Sequence, residues 1–468
     1  MFLESGIFSG KHQMKIVLFL FLVALLSGLF WSHKMLGQPL NSGSDEVQYN
    51  FLAKNILGIS YGADSVEQER WCSSSEPFYP LFVAGVYSLF GLENFDAVRM
   101  TQIFLFTLTV LLVYFLAREM LDKKIAFSAG LLVALFFPLA ASSGLLYREI
   151  LFTFFVVLLV YLLYRLQEKP RLAGFILSGI VLGLATLTNA IIQFFIVFIV
   201  LYFIFIFRKS LSWKNLTLKL SLSVLFFLLT VSGWSLRNYF SSGNLEPLNL
   251  KSGGVLSRRV EMMESITGEK YFRHLGGQLF GYYFFEKEGF EPAEFLGHPK
   301  TTKKVEDMLK QGRAIEEINS ELARENVSKI LFDIPQYFAI SILDFLQFNG
   351  PMLPTPFNLG QAPMQNLFIE GSHPEIPGWG KISILIILRI LYWFFFGFVI
   401  YGLVKAVKNW RKFGWIILTI VYFNLVYSAL FGIPRYSIPI YPFYIILFVV
   451  GFSAFLNRFK LYSWPMFY

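Results

Sequence analysis

The stretch EILFTFFVVLLVYLLYRLQEKPR, residues 149–171, decides the fold class. From Ile150 to Tyr164 no side chain carries a charge, and then Arg165, Lys169 and Arg171 crowd the end. Crossing a hydrocarbon layer about 30 Å thick takes roughly 20 helical residues, since lipid offers the backbone no hydrogen-bond partners. A run of this kind reads as a spanning helix whose basic end faces the cytosol.

Working outward, the same reading applies to ten stretches: 15–31, 98–117, 125–143, 149–165, 172–188, 190–207, 216–234, 382–404, 413–432 and 437–456. Composition agrees. The 468 residues are 55% apolar, 18% aromatic and only 15% charged, where a soluble domain carries about a quarter charged residues. The expected fold class is an all-α polytopic membrane protein.

Lys and Arg gather at alternate connections: Lys11 and Lys15; Arg118, Lys123 and Lys124; Arg165, Lys169 and Arg171; Arg208, Lys209, Lys214 and Lys219; Lys405, Lys408, Arg411 and Lys412; Arg458 and Lys460. Placing them in the cytosol leaves the rest of the chain net acidic, so the overall charge of +9 is a topology signal and gives no motive for nucleic-acid binding. The expected order is a cytosolic tail at 1–14, seven transmembrane helices over 15–234 with a first outer loop at 32–97, a large outer loop at 235–380, three more helices over 381–457 and a cytosolic tail at 458–468. No small-residue cleavage site follows the first span, which reads as an uncleaved signal anchor. Met14-Lys15 before an apolar run marks an alternative translation start.

Phe78 to Gly91 is apolar but too short to span, and it is placed as an interfacial or re-entrant segment. Lys300 to Asn349 reads as helical and amphipathic. Gly350 to Gly378, with Pro351, Pro354, Pro356, Pro363, Pro374 and Pro377, reads as an ordered loop or lid.

One cysteine, Cys72, excludes an internal disulfide framework and multi-cysteine metal sites. The five scattered histidines form no HExxH, and neither a Walker A pattern nor a strand-loaded GxGxxG occurs.

Ser44 can cap a helix beginning at Asp45-Glu46, with Tyr49, Leu52, Ala53, Ile56 and Leu57 on one face and Gly58 as the stop. Its carboxylates should sit near the outer membrane surface, although acids at a helix start also answer the helix dipole. Arg435-Tyr436 is pinned between Pro434 and Pro439 in a short outer connection, GIPRYSIP. A phosphate ligand competes there with a headgroup-snorkelling arginine. Arg148-Glu149 and Arg237-Asn238 fall on the same face, each also explicable as an interfacial anchor. Arg258-Arg259 in the large loop reads as a weaker candidate, since charge runs in soluble segments are usually solvated. The cofactor is not read from the sequence; a divalent cation is left open, with Asp45, Glu46 and Glu149 as oxygen ligands available to one.

The segments SDEVQYNFLAKNILGISYG (44–62), PFYPLFVAGVYSLFG (77–91), GLATLT (183–188), LRNYFSSGNLEPL (236–248) and PRYSIPIYP (434–442), in this order, resemble GT-C glycosyltransferases of the protein O-mannosyltransferase type, family 39, which includes the lipid A aminoarabinose transferases. The resemblance covers roughly residues 15–245 and 382–457. It implies an inverting enzyme that takes a sugar from a polyprenyl-phosphate-linked donor to a protein, lipid or glycan acceptor at the non-cytosolic face, in a bacterial inner membrane. It also implies Asp45 as the acceptor-activating base, Glu46 as its assistant, and Arg435 as the holder of the lipid phosphate; Tyr436, Arg237 and Arg148, by their convergence on the same face, are the further candidates for the phosphate. The rival reading is a transporter or flippase of a glycan or lipid. Carriers tend to hold ionisable groups at mid-membrane, where only Arg389 qualifies here.

Overall fold

In the computed structural model, described for residues 11–33, 35–40, 44–59, 72, 75–242, 252–280, 299–313, 315–350 and 378–458, all regular structure is helical. The Pro-rich stretch expected to be a lid falls almost wholly outside these residues. Among the described residues eight helices are long and apolar enough to cross a membrane, against the ten spans expected, and the chain is an integral, multi-pass membrane protein.

The membrane part starts with α1 (Lys11–Ser32), followed by α2 (Asp45–Ile56) and α3 (Phe78–Phe90). Next come α4 (Phe95–Met120), α5 (Lys123–Leu135), the short α6 (Phe137–Ser142), α7 (Glu149–Glu168) and α8 (Leu172–Thr188). A 3-10 turn at Ala190–Ile192 leads into α9 (Phe195–Phe207), which precedes α10 (Trp213–Ser242). Each expected span thus coincides with helix. One is interrupted: 125–143 breaks at Phe136, with φ −72° and ψ 98°. Pro138 explains this, because in a continuous helix its ring would meet the Ala134 carbonyl and its nitrogen could donate nothing.

The segment expected to be the large outer loop contains α11 (Ser252–Ser265), α12 (Glu269–Phe280), α13 (Pro299–Lys310), α14 (Ile315–Phe332) and α15 (Ile334–Phe348). Met262, Met263, Ile266, Ile340 and Leu343 form a small apolar core of its own. The chain then returns through α16 (Gly378–Lys408) and α17 (Trp410–Leu430), and a 3-10 segment, Pro434–Ile440, opens into α18 (Tyr441–Arg458).

Glycines set the closest helix crossings. A Cβ at Gly179 would lie 2.2 Å from the Ser223 carbonyl oxygen, and one at Gly183 would lie 2.5 Å from Thr230 Cβ. The spacing Gly179-x-x-x-Gly183 therefore lets α8 lie against α10, the small-residue packing that substitutes for a hydrophobic drive in lipid. Gly402 and Gly451 do the same for α16 and α18, where a Cβ on Gly402 would sit 1.9 Å from the Leu447 carbonyl oxygen. Close packing of this kind fixes the ends of the helices, and with them the connections that build the site.

Candidate active site

The α2 helix begins as its sequence requires. Ser44 takes an extended backbone at φ −98° and ψ 165°, and its hydroxyl accepts from the Glu46 N–H at 3.3 Å. Gly58 ends the segment at φ +70°, a left-handed value that suits glycine. Tyr49, Leu52 and Ala53 are buried, so the apolar face docks and the first turn is oriented. α3 packs against it through the 4.7 Å edge contact of Tyr49 with Tyr79. Phe78–Phe90, expected at the interface, is thus a short helix braced on α2.

At that first turn two distant parts of the chain meet. Arg435 Nη2 donates to Asp45 Oδ2 at 2.6 Å. Arg435 Nε lies 3.0 Å from Glu149 Oε1, so one guanidinium bridges two carboxylates. Its carbon stands 4.7 Å over the Tyr147 ring and 5.6 Å over the Tyr436 ring, two cation-π contacts that restrict it. Burial pushes the Tyr147 phenol up to about 12, against the pull of Arg435, so it stays neutral beside the arginine.

Glu46 faces elsewhere. It is 3% exposed, and its Oε1 accepts from the Leu146 N–H at 2.8 Å. The same turn is held by two more buried side chains. Gln102 donates to the Ser143 and Leu145 carbonyls at 3.1 and 2.6 Å while accepting from the Tyr79 hydroxyl at 2.8 Å. Arg99 donates to the Gly144 carbonyl at 3.2 Å and to Gln38 and Asp96 at 3.0 and 2.9 Å. Three side chains from α2 and α4 therefore fix the backbone that presents Tyr147, Arg148 and Glu149.

Arg148 pairs with Glu76 at 2.6 Å, and Glu76 also accepts from the Ala190 N–H at 3.4 Å. Burial disfavours the charge on Arg148, but Glu76 and neighbouring acidic groups outweigh that and hold its pKa well above the ordinary value. Arg237 is engaged away from Arg435: it donates to the Cys72 carbonyl at 3.4 Å and to Asn238 Oδ1 at 3.1 Å, and stacks over Trp234 at 4.6 Å.

The expectation that Arg258 and Arg259 form a solvated run is overturned: they are 4% and 1% exposed. Arg259 pairs with Asp344 at 2.7 Å, and Arg258 lies 3.1 Å over the Phe431 ring. Burial lowers Arg258 to about 10, which leaves it cationic at neutral pH. Both counterparts come from distant segments, which is why a local charge pattern could not reveal the burial.

Sequence reasoning passed over Glu76, Arg99, Gln102 and Tyr147. Glu76 stands alone among serines in SSSEPF, and Arg99 looks like any arginine at a helix start. Among the described residues no group of three or more His, Cys, Asp or Glu side chains could hold a metal ion. The trio left open for a divalent cation divides accordingly, with Asp45 and Glu149 on Arg435 and Glu46 on the Leu146 amide. The arrangement offers a surface carboxylate, a second carboxylate and a restrained guanidinium within one cluster, a set able to take a proton and to bind an anion.

Residues 74–234 match the family described as dolichyl-phosphate-mannose-protein mannosyltransferase. The undecaprenyl phosphate-alpha-4-amino-4-deoxy-L-arabinose arabinosyl transferases of Pseudomonas aeruginosa (strain UCBPP-PA14) and Pseudomonas paraeruginosa (strain DSM 24068 / PA7) are 33% and 32% identical to this chain over 201 residues. That match takes in 41% of this chain and 35% of each relative, so it spans about a third of the relatives' length. The oligosaccharyltransferase AglB of Archaeoglobus fulgidus aligns with 97% of this chain and 52% of its own at TM-score 0.52 and 14% identity, a likeness of fold. ArnT of Cupriavidus metallidurans aligns with 95% of this chain and 79% of its own at TM-score 0.40 and 13% identity. The matched region and the likeness of fold both agree with the resemblance to GT-C glycosyltransferases seen in the sequence.

Proposed function

We propose that this chain is an inverting glycosyltransferase that moves a sugar from a polyprenyl-phosphate-linked donor to an acceptor at the non-cytosolic face of a bacterial inner membrane. The observation that carries this reading is the bridge from Asp45 through Arg435 to Glu149, built from three separate outer connections. The relatives named above use undecaprenyl phosphate as sugar carrier according to their names, and the same class of lipid phosphate suits a guanidinium at a membrane surface.

In this reading the donor's phosphate competes with the carboxylates for Arg435 and leaves the Asp45 oxygens free to take a proton. Asp45 removes the proton of an acceptor hydroxyl, and that oxygen attacks the anomeric carbon from the face opposite the phosphate. The bond between the anomeric carbon and the phosphate oxygen breaks, and the lipid phosphate departs with the electron pair. Negative charge grows on it as the bond lengthens, and Arg435 stabilises that growth. Arg148, beside Glu149 in the same turn, adds positive potential, while Glu46 holds the turn in place. Arg237 and Asn238 line the end of α10 as outer contacts for a substrate, and Tyr436 shields one face of the guanidinium.

The chemistry needs no nucleotide sugar outside the cytosol, because the lipid phosphate is itself the leaving group. The transporter reading lacks a comparable feature: Arg389, within a span, donates to the Gln278 carbonyl at 3.1 Å, a structural engagement with α12. The test is mass spectrometry of surface glycans, lipids and glycoproteins from cells with and without the chain. A sugar present only with the chain, and transferred by purified protein from lipid phosphate to an acceptor, is the expected result. Unchanged surface chemistry together with an inactive purified protein would reject the reading.

A further inference from the structure

Asp344 and Arg259 face each other at 2.7 Å with both side chains fully buried, 85 residues apart in the large outer region. An ion pair withdrawn from water brings little net stability, so its location is the informative part. α17 ends at Leu430, and the last carbonyls of a helix have no partner of their own. Arg259 Nη2 donates to the Ser428 carbonyl at 2.6 Å, and the Tyr337 hydroxyl donates to the Ala429 carbonyl at 2.9 Å. The outer region therefore caps this helix, and the positive charge of Arg259 sits at the negative end of the helix dipole.

Five residues beyond the end of α17 comes Arg435. The intervening segment is gripped as well. Gly432 lies so close to Asp344 that a Cβ there would be 2.5 Å from the Asp344 carbonyl oxygen. Phe431 lies under Arg258 at 3.1 Å and meets the edge of the Tyr436 ring at 5.7 Å. Tyr436 in turn stacks on Tyr427 at 5.2 Å and donates its backbone N–H to the Ile433 carbonyl at 3.0 Å. A continuous chain of contacts thus runs from the Arg259 and Asp344 pair to the residue next to Arg435.

We propose that Arg259 and Asp344 are positioning residues, through which the outer helices α11 and α15 fix the turn that aims Arg435. The proposal rests on the reading of Arg435 as the ligand of the donor phosphate. It gives the outer region a task in the reaction without contact with the sugar: guanidinium geometry is set by a buried pair on its far side. A displacement of the turn should affect the step in which phosphate charge grows more than it affects ground-state binding.

The test uses the full-length protein in detergent or vesicles with two alterations, Asp344→Asn and the double change Arg259→Met with Asp344→Leu. The second removes both charges and leaves neither unpaired, so it keeps the protein testable should the first fail to fold. Each is measured in the native background and in the Arg435→Lys background. The expected result is a fall in kcat of about tenfold, with KM for the donor within about twofold, in the native background, and a fall below about twofold when Arg435 is already lysine. Equal falls in both backgrounds would show that the pair acts by stability alone and overturn the proposal. Hydrogen exchange across residues 432–438 supplies a second readout that needs no activity. It should quicken in both variants, and unchanged exchange there would also overturn the proposal. If the unaltered protein transfers nothing from a lipid phosphate, the functional reading fails, and exchange still decides whether the pair holds the turn.

Discussion

Arg435 donates to Asp45 across 2.6 Å, so the proposed phosphate ligand and the proposed base are direct partners although 390 positions separate them. A pair of this kind couples two events, since whatever claims the guanidinium releases the carboxylate.

Asp45→Asn keeps the shape of the side chain and removes the proton-accepting charge. Transfer by the purified protein should fall at least about a hundredfold, with melting temperature close to that of the native chain. Glu46→Gln should do less to the chemical step, because the amide oxygen can still accept from the Leu146 N–H. Near-normal turnover by Asp45→Asn at saturating donor would remove Asp45 from the role of base.

Arg435→Lys keeps the charge and loses the planar fork that reaches Asp45 and Glu149 at once. The expected outcome is a drop in kcat of about ten- to a hundredfold, larger than the rise in KM. Steady-state kinetics over a range of donor concentration separates the two. An unaltered kcat would exclude a part in stabilising the leaving group.

Glu76 joins three connections, its own loop, the Arg148 turn and the Ala190 N–H. Glu76→Gln should cost about 1–3 kcal/mol of stability, because it weakens the interaction with a largely buried arginine. A thermal melt reads this, and an unchanged melting temperature would show that the bridge carries no weight.

Orientation is tested by single cysteines in a Cys72→Ser background. Thiol reagents confined to the outside should reach residues in the outer helices and should fail to reach cysteine placed at Ser210 or Asn409. External labelling at either position would end the proposed topology.

Much of the architecture was legible in the sequence because lipid imposes it: helix length follows from bilayer thickness, and the Ser44 cap and Gly58 stop are local chemistry. Arg435 could be singled out since two prolines shorten its leash. The partners that fix the site were not legible. Asp344 is 85 residues from Arg259, and Glu149 is 286 residues from Arg435, so each pairing exists only once the helices have packed. Glu46 and Arg99 show the same limit in another form, because what they hold is backbone, and backbone leaves no mark in side-chain identity.

The α16 helix has only 11% of its most apolar stretch buried inside the protein, and its tight crossing with α18 centres on Gly402 and Gly451. Such a helix is bathed by acyl chains, so the bilayer becomes part of its mechanical support. A thinner or thicker membrane changes its tilt about the glycine pivot, and the partner at that pivot is the helix whose first turn follows Arg435. Turnover in vesicles of graded acyl-chain length should therefore pass through a maximum where tilt and turn agree.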